Sequence, residues 1–185
     1  MANTVSNVSA GKPKVGGAVY RAPKGTALPT NASSELAAAY KALGYISEDG
    51  LVNSNAPESE DIKAWGGDTV LSVQTDKPDT FQMKFIESLN SEVLKTIYGD
   101  DNVSVESDGS ITVKATSTEM EEAVYVVDMI MRGGALKRIV VPTGKISDLG
   151  DIEYKDDDAV GYDATITAMP DTNGVTHYEY IKPAA

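Results

Sequence analysis

The chain has 185 residues, 41% of them hydrophobic and 24% charged, which suits one domain with a packed core and excludes wholesale disorder. It has no cysteine and a single histidine, His177, so disulfides, thiolate metal sites, cysteine nucleophiles and two-histidine sites within one copy are excluded. The net charge of −12 has the wrong sign for binding nucleic-acid phosphates or an anionic membrane surface.

The N-terminal segment, residues 1–17, is predicted to be a flexible arm because it is rich in Asn, Ser and Gly and has no hydrophobic period. It lacks the apolar stretch of a secretory signal, and no apolar run of the chain is long enough to span a membrane, so we expect a soluble chain made in a cytoplasm. The first 34 residues have a net charge of +4 and the other 151 a net charge of −16, which predicts that the arm of one copy docks on the body of another. The bases of the first 34 residues are Lys12, Lys14, Arg21 and Lys24.

A short strand is predicted around residues 18–22, before Pro23, and an amphipathic helix over Ser34–Leu43. In that helix the apolar positions recur at i, i+3, i+4 and i+7, and Gly44 follows as its expected end. A helix of this length is marginal by itself, so we expect it to pack on a sheet.

The segment over residues 47–67 is polar, acidic and rich in turn residues. A stretch of this length without regular structure is typical of a functional loop, and a long hairpin that bends at residues 49–50 is the alternative. A lone tryptophan such as Trp65 is more often a core residue than a contact residue, although its polar surroundings weaken that expectation. The candidate contact residues of the segment are Glu58, Glu60, Asp61 and Trp65.

Two strands are predicted next, over Asp68–Thr75 and Thr80–Glu87, because apolar and polar residues alternate in each. The link at residues 76–79 contains turn residues, so the two strands are expected to pair as a hairpin. Ser91–Tyr98 is predicted to be a second helix, which ends at Gly99.

The C-terminal half is predicted to be almost entirely β-structure. Ala123–Arg132 is apolar on both faces except at Asp128, which indicates a central strand covered on both sides. Closely spaced strands with turn residues between them predict a mainly β fold, a sandwich or barrel, with one or two short helices, a long loop and an extended N-terminal arm. The turn at residues 170–174 is expected to join the last two strands. The other predicted strands are Ser110–Ala115, Leu136–Val141, Lys145–Tyr154, Val160–Met169 and Val175–Ile181.

No arrangement of residues indicates catalysis, a cofactor or a metal site. Asp156–Asp158 lacks the spaced ligands and the glycine of a calcium loop, so it is interpreted as a charged turn. Glu119, Glu121 and Glu122 precede a strand, and no partner for acid–base chemistry is apparent. His177 lies on an apolar strand face, where structural histidines are more common than catalytic ones. The chain also has no phosphate-loop, nucleophile-elbow or zinc-protease motif.

Taken together, five segments of the chain resemble the major tail protein, or tail tube protein, of long-tailed (siphovirus-like) bacteriophages and prophages. The similarity keeps the same order from about residue 12 to residue 181. The segments are PKVGGAVYRAPKGTALP, IKAWGGDTVL, FIESLNSEVLKTIYG, RGGALKRIVVP and YKDDDAVGYDATITAMPD.

The resemblance implies a sandwich- or barrel-like subunit that forms hexameric rings, which stack into a tail tube. It implies a structural virion protein without enzymatic activity, cofactor or metal, assembled in the cytoplasm of the bacterial host. The implied partners are further copies of the chain, the tape-measure protein, the tail terminator and distal tail or baseplate proteins. Genomic DNA would pass through the channel without specific binding, and no membrane partner is implied.

The resemblance also assigns roles by region. Glu48–Gly67 corresponds to the loop between rings, residues 1–24 to an arm between rings, and Ser91–Tyr98 to a flanking helix. Residues 18–185 are expected to form a single domain, without the C-terminal immunoglobulin-like domain that many family members add.

The sequence leaves two other functions open. One is a monomeric β-sandwich module that binds carbohydrate or protein, for which a single tryptophan supplies little of the usual aromatic platform. The other is a hydrolase that uses Glu121 and Glu122, or Asp156–Asp158, as its acids.

Overall fold

This computed structural model describes residues 3–184, which form thirteen strands and one α-helix. The first two residues of the predicted arm lie outside this range. Short 3-10 turns occur at residues 5–7, 100–102 and 132–134. The helix, α1, spans Ser91–Tyr98. The strands are β1 (Lys12–Pro13), β2 (Val19–Pro23), β3 (Lys41–Ala42), β4 (Val52–Ser54), β5 (Glu58–Lys63), β6 (Thr69–Asp76), β7 (Thr80–Phe85), β8 (Val103–Val105), β9 (Ile111–Val113), β10 (Ala123–Ile130), β11 (Leu136–Leu149), β12 (Tyr162–Ala168) and β13 (Tyr178–Lys182).

Most strands belong to one antiparallel sheet with the order β3-β2-β10-β11-β12-β7-β4, in which the long strand β11 is shared by two halves. The first part of β11 lies between β10 and β13, and its last part pairs with β12. The larger core cluster contains residues from both halves, so the sheet bends around its own apolar face. The predicted mainly β, sandwich-like fold is therefore confirmed.

Gly144 is the residue at which β11 passes from one half of the sheet to the other. It lies opposite Ala123 of β10 and Ala168 of β12, and the register shifts on both sides of it. A Cβ atom at this position would come within 2.8 Å of the Tyr125 ring and 2.9 Å of Ile166. Glycine therefore permits the close approach of the two halves, and the bulges supply the bend.

The larger core also covers the buried face of α1. The N-cap of the helix is Asn90, whose side chain accepts a hydrogen bond from the Glu92 N–H at 3.0 Å. Its C-cap is Gly99, which has a φ of 95°. The predicted bounds of this helix are confirmed. Eight residues do not form a stable helix in isolation, so its stability comes from packing of its apolar side chains. These are Val93, Leu94 and Ile97.

A second, smaller core lies on the other face of β10, where Val124 and Val126 pack with Val140 and Tyr40. Tyr125, on the face of β10 opposite to Val124 and Val126, belongs to the larger core. The predicted central strand covered on both sides is thus confirmed, and the cover on this second face includes residues that precede β3.

The predicted helix over Ser34–Leu43 is wrong, because this segment is an irregular loop followed by β3. The Asn31 side chain accepts hydrogen bonds from the N–H groups of Ser33 and Ser34 at 2.9 and 2.6 Å, which forms a local turn. The buried Arg138 donates to the carbonyl oxygens of Asn31 and Ser34 at 3.1 and 2.9 Å. A helix over Ser34–Leu43 would use the Ser34 carbonyl for its first internal hydrogen bond, and Arg138 occupies that group, so a tertiary contact competes with the amphipathic period.

Two predictions about the strands are also wrong. β6 pairs with β5, whereas β7 pairs with β4 and β12, so β6 and β7 form no hairpin. The turn expected at residues 170–174 does lie between β12 and β13, which both pair with β11 and not with each other. β11 itself is one continuous strand, where two separate strands were predicted. Alternation of apolar residues identifies a strand and its faces, but it does not identify the strand's partner.

Arg138 and Asp128 form an ion pair in which both side chains are almost fully buried. We predict that Asp128→Asn lowers the free energy of unfolding by about 3–5 kcal/mol, because it leaves a buried guanidinium without its counter-charge. Urea denaturation of the single subunit measures this change. The exposed pair between Lys24 and Glu122 is the control: Lys24→Ala is expected to cost less than about 1 kcal/mol. Equal costs for the two variants would contradict the prediction.

Candidate assembly surfaces

Residues 56–77 form a hairpin that projects from the body of the subunit, and every one of these residues is exposed. Its strands β5 and β6 pair with each other and, within residues 3–184, with no other strand. Gly66 and Gly67 allow the tight turn at its tip, since both have a positive φ, of 115° and 98°. Trp65 lies at this tip and is fully exposed, so the more common core role of a lone tryptophan does not apply. We call residues 56–77 the projecting hairpin.

The projecting hairpin has one apolar face and one polar face. Residues opposite each other on paired strands share a face, and residues two apart along a strand do the same. The pairs Ile62–Leu71 and Glu60–Val73 lie on one face. The pairs Asp61–Ser72 and Ser59–Gln74 lie on the other. We call Ile62, Leu71 and Val73 the apolar face of the hairpin.

Residues 3–184 leave this apolar face about half exposed: Ile62 is 52% exposed, Leu71 is 53% exposed and Val73 is 44% exposed. A two-stranded hairpin in water is marginally stable by itself. An apolar row at strand period on an element without a core of its own is typical of an interaction surface. The hairpin therefore has the pattern of an element that is completed by contact with another surface.

The acidic cluster predicted in this region is divided by the strand alternation. Glu60 lies at the margin of the apolar face, and Asp61 lies on the polar face. Glu58 is opposite Asp76, and like charges in such a pair repel. The predicted contact acids are thus presented in two directions, and they do not form one compact acidic site.

The N-terminal arm lies along the end of β10. Lys12 and Pro13 pair with Ile130 and Met129, and the N–H of Arg132 donates to the Ser9 hydroxyl at 2.6 Å. β1 has only two residues, and both are exposed. Gly16 and Gly17 follow it with positive φ values of 89° and 140°. The arm is therefore attached by a short ladder and connected through a glycine pair.

Most of the cations of the arm region bind acids of the same chain. Arg21 makes two hydrogen bonds to Asp100, at 2.6 and 3.4 Å. Lys14 contacts Asp128 at 3.5 Å, and Lys24 contacts Glu122. Lys12 is exposed and makes no ion pair in the described part of the chain. The attraction predicted between copies is thus partly satisfied within the subunit, and Lys12 is the cation that the fold leaves available.

A buried polar cluster lies where the projecting hairpin meets the body. The carboxylate of Asp79 is 1% exposed and accepts hydrogen bonds from Asn53 at 2.8 Å and Thr176 at 2.6 Å. His177 Nδ1 contacts it at 2.5 Å, and the His177 ring packs edge-on against Phe81. Burial alone would raise the pKa of Asp79, but the three hydrogen bonds outweigh it and hold this pKa below its ordinary value. Both contacts of His177 described here are therefore with residues of the fold itself.

Sequence reasoning missed two features of these surfaces. The apolar face was missed because Ile62 lies in the polar segment for which a loop is favoured, while Leu71 and Val73 lie in the predicted strand beyond the Gly-Gly turn that joins the two. The cluster around Asp79 was missed because its members lie about a hundred residues apart in sequence. The first feature had a local signal, and the second had none.

A family model of phage tail tube proteins matches residues 4–185, which is nearly the whole chain. The chain belongs to the phage tail tube protein family. A tail tube protein is a structural component of the virion tail and self-associates into a tube, and its family is not an enzyme family. Comparison with curated proteins gave no match.

Two further observations accompany the assignment to the tail tube family. No helix within residues 3–184 is long and apolar enough to cross a membrane. In the same range, no group of three or more His, Asp and Glu side chains has an arrangement that would hold a metal ion.

The buried carboxylate makes stability dependent on pH in acid. Because the pKa of Asp79 is lower in the folded tail tube subunit than its unfolded value of about 3.9, its contribution to stability is present above that value. It is lost as the pH falls through the folded pKa. We predict that Asp79→Asn lowers the free energy of unfolding at pH 7 and reduces its decline between pH 5 and the acid limit. Urea titrations at a series of pH values test this, and parallel curves for the two proteins would contradict it.

Proposed function

We propose that this tail tube protein assembles into stacked, hexameric rings, and that the projecting hairpin makes the contact between rings. The observation that carries this proposal is the uncovered apolar face of Ile62, Leu71 and Val73 on a hairpin that extends from the body. Head-to-tail stacking requires two different, complementary surfaces on each subunit, and an element that leaves its own body supplies one of them. Burial of this face in a neighbouring copy removes about 25 cal/mol per Å² of unfavourable apolar hydration.

The arm is the second contact of the proposed tube. Residues 1–24 include the two-residue strand β1 and the exposed Lys12, and all residues of this arm described before Gly17 are exposed. The body around it has a large excess of acid, since the chain carries 28 acidic and 16 basic residues. We infer that the arm reaches a neighbouring ring, where Lys12 meets this acidic surface.

The proposed channel surrounds the tape-measure protein during assembly in the host cytoplasm and later conducts DNA. The net charge of −12 supports this role, because an acidic wall repels phosphates and lets DNA pass without being held. The tail terminator and the distal tail or baseplate proteins would cap the two ends of the tube.

The double variant Ile62→Ser/Leu71→Ser tests the role of the apolar face. Both side chains are about half exposed in the single subunit, so we expect little loss of stability and a strong loss of tubes in negative-stain electron microscopy. Gln74→Ser is the matched control, because it changes the polar face of the same hairpin. Tubes of normal length from the double variant would refute the stacking role, and strictly monomeric wild-type protein, even with tape-measure protein, would refute the tube itself.

Deletion of residues 2–17 tests the arm. The core contains no described residue before Ala18, so we expect a folded domain with a near-native circular dichroism spectrum. Without the arm, we expect rings that do not elongate, which analytical ultracentrifugation and microscopy distinguish from tubes. The substitution Lys12→Glu in the full-length chain is also expected to slow elongation. Unchanged elongation of the shortened chain would contradict this role.

A further inference from the structure

The projecting hairpin is separated from the body by a break in the β-ladder. Residues of β4 pair with β7 on the body side, and β5 pairs with β6 on the outer side. Between the two ladders, residues 55–57 on one strand and 77–79 on the other form no pairs. Each of these short links contains a proline, Pro57 or Pro78. We call residues 55–57 and 77–79 the joint.

The joint lacks the backbone bonds that would fix the direction of the hairpin. Proline has no N–H group, so neither Pro57 nor Pro78 donates to a ladder. The side-chain oxygen of Asn55 is buried at the joint and has no hydrogen-bond partner in residues 3–184. A hairpin that continued the ladder would be held at every second residue, whereas this one is held by the side chains at its base.

Asp79 connects the joint to two other parts of the body. Its carboxylate accepts from Asn53 on β4, which is the strand that leads into the hairpin. It also accepts from Thr176 and contacts His177, which lie in the segment before β13. The Asp79 carbonyl accepts from the N–H of Ala168 at the end of β12, at 2.8 Å. One buried residue thus ties together the entering strand, the leaving strand and the β12–β13 connection.

We propose that Asp79 is a positioning residue for assembly, which fixes the direction of the projecting hairpin in the free subunit and so presents its apolar face to the next copy. This inference rests on the proposed function, because it explains how the apolar face of the hairpin is oriented for contact with the next copy. A hairpin that sampled many directions would bind a neighbour with an affinity reduced by the fraction of subunits in the competent direction.

The absence of cysteine makes the direction of the hairpin measurable with two introduced labels. Spin labels at Trp65→Cys, on the tip, and Asp148→Cys, an exposed position on β11, report the distance from tip to body in the single subunit. We expect one narrow distance distribution for the parent chain. Asp79→Asn removes the charge that Thr176 and His177 bind, so we expect a clearly broader distribution from a subunit that remains folded.

Asp171→Asn is the matched control for this experiment. Asp171 accepts hydrogen bonds from Tyr178 at 2.6 Å and from the N–H of Val175 at 3.0 Å, all within the same connection and without a bond to the joint. We expect its distance distribution to stay narrow. If Asp79→Asn does not fold, Thr176→Val removes one of the three side-chain bonds and is expected to broaden the distribution to a smaller extent.

Assembly supplies the second readout. If about a tenth of the Asp79→Asn subunits hold the competent direction, the apparent affinity between copies falls about tenfold, and the concentration at which tubes form rises by the same factor. A narrow distribution in both Asp79→Asn and Thr176→Val would overturn the proposal, and so would a broad distribution with an unchanged threshold for tubes. The distance measurement needs no tube, so failure of the wild type to assemble would overturn the proposed function without deciding the role of Asp79 in the single subunit.

Discussion

The buried ion pair between Arg138 and Asp128 joins the paired strands β10 and β11 to the loop that precedes β3 and to the arm. Arg138 donates to both carboxylate oxygens of Asp128, at 2.6 and 2.8 Å, and to backbone carbonyl groups of residues 31 and 34. Lys14 of the arm reaches the same carboxylate. A charge in the interior is tolerated when its hydrogen-bonding groups are satisfied, so β10, β11 and the loop at residues 31–34 must come together for Asp128 and Arg138 to be buried. The rest of the body depends on this constraint.

The body and the projecting hairpin differ in whether their apolar faces are buried. In the body, β10 is covered on both faces and the apolar side of α1 is buried, so the main apolar faces of these two elements are used inside the subunit. In the hairpin, the same alternation produces an apolar face that no described residue of the subunit buries. In the proposed tube, this face would become buried when the next copy binds.

Elements that depend on local residues were predicted correctly, whereas those that depend on distant residues were not. Ser91–Tyr98 was predicted correctly because its cap, its apolar stripe and its terminating glycine are all local. Ser34–Leu43 has an equally good stripe, but it is not helical, and Arg138, about a hundred residues away, occupies the Ser34 carbonyl group. In the projecting hairpin, the sequence predicts β6 as a strand but favours a loop for the segment that contains β5, because that segment is polar, acidic and rich in turn residues. The cluster around Asp79 left no local trace, since its members come from distant parts of the sequence.

By itself, the sequence determined the mainly β class, the central strand β10, the helix α1, the family resemblance and the absence of cysteine chemistry, because these depend on composition and on short-range periodicity. The tertiary structure alone decided which strands pair, that β11 serves both halves of the sheet, and that β5 and β6 leave the body as a hairpin. It also decided that most of the arm's cations bind their own subunit and that Asp79, next to the hairpin, accepts hydrogen bonds from Asn53 and Thr176. These outcomes depend on contacts between residues far apart in the chain, which a local pattern does not encode.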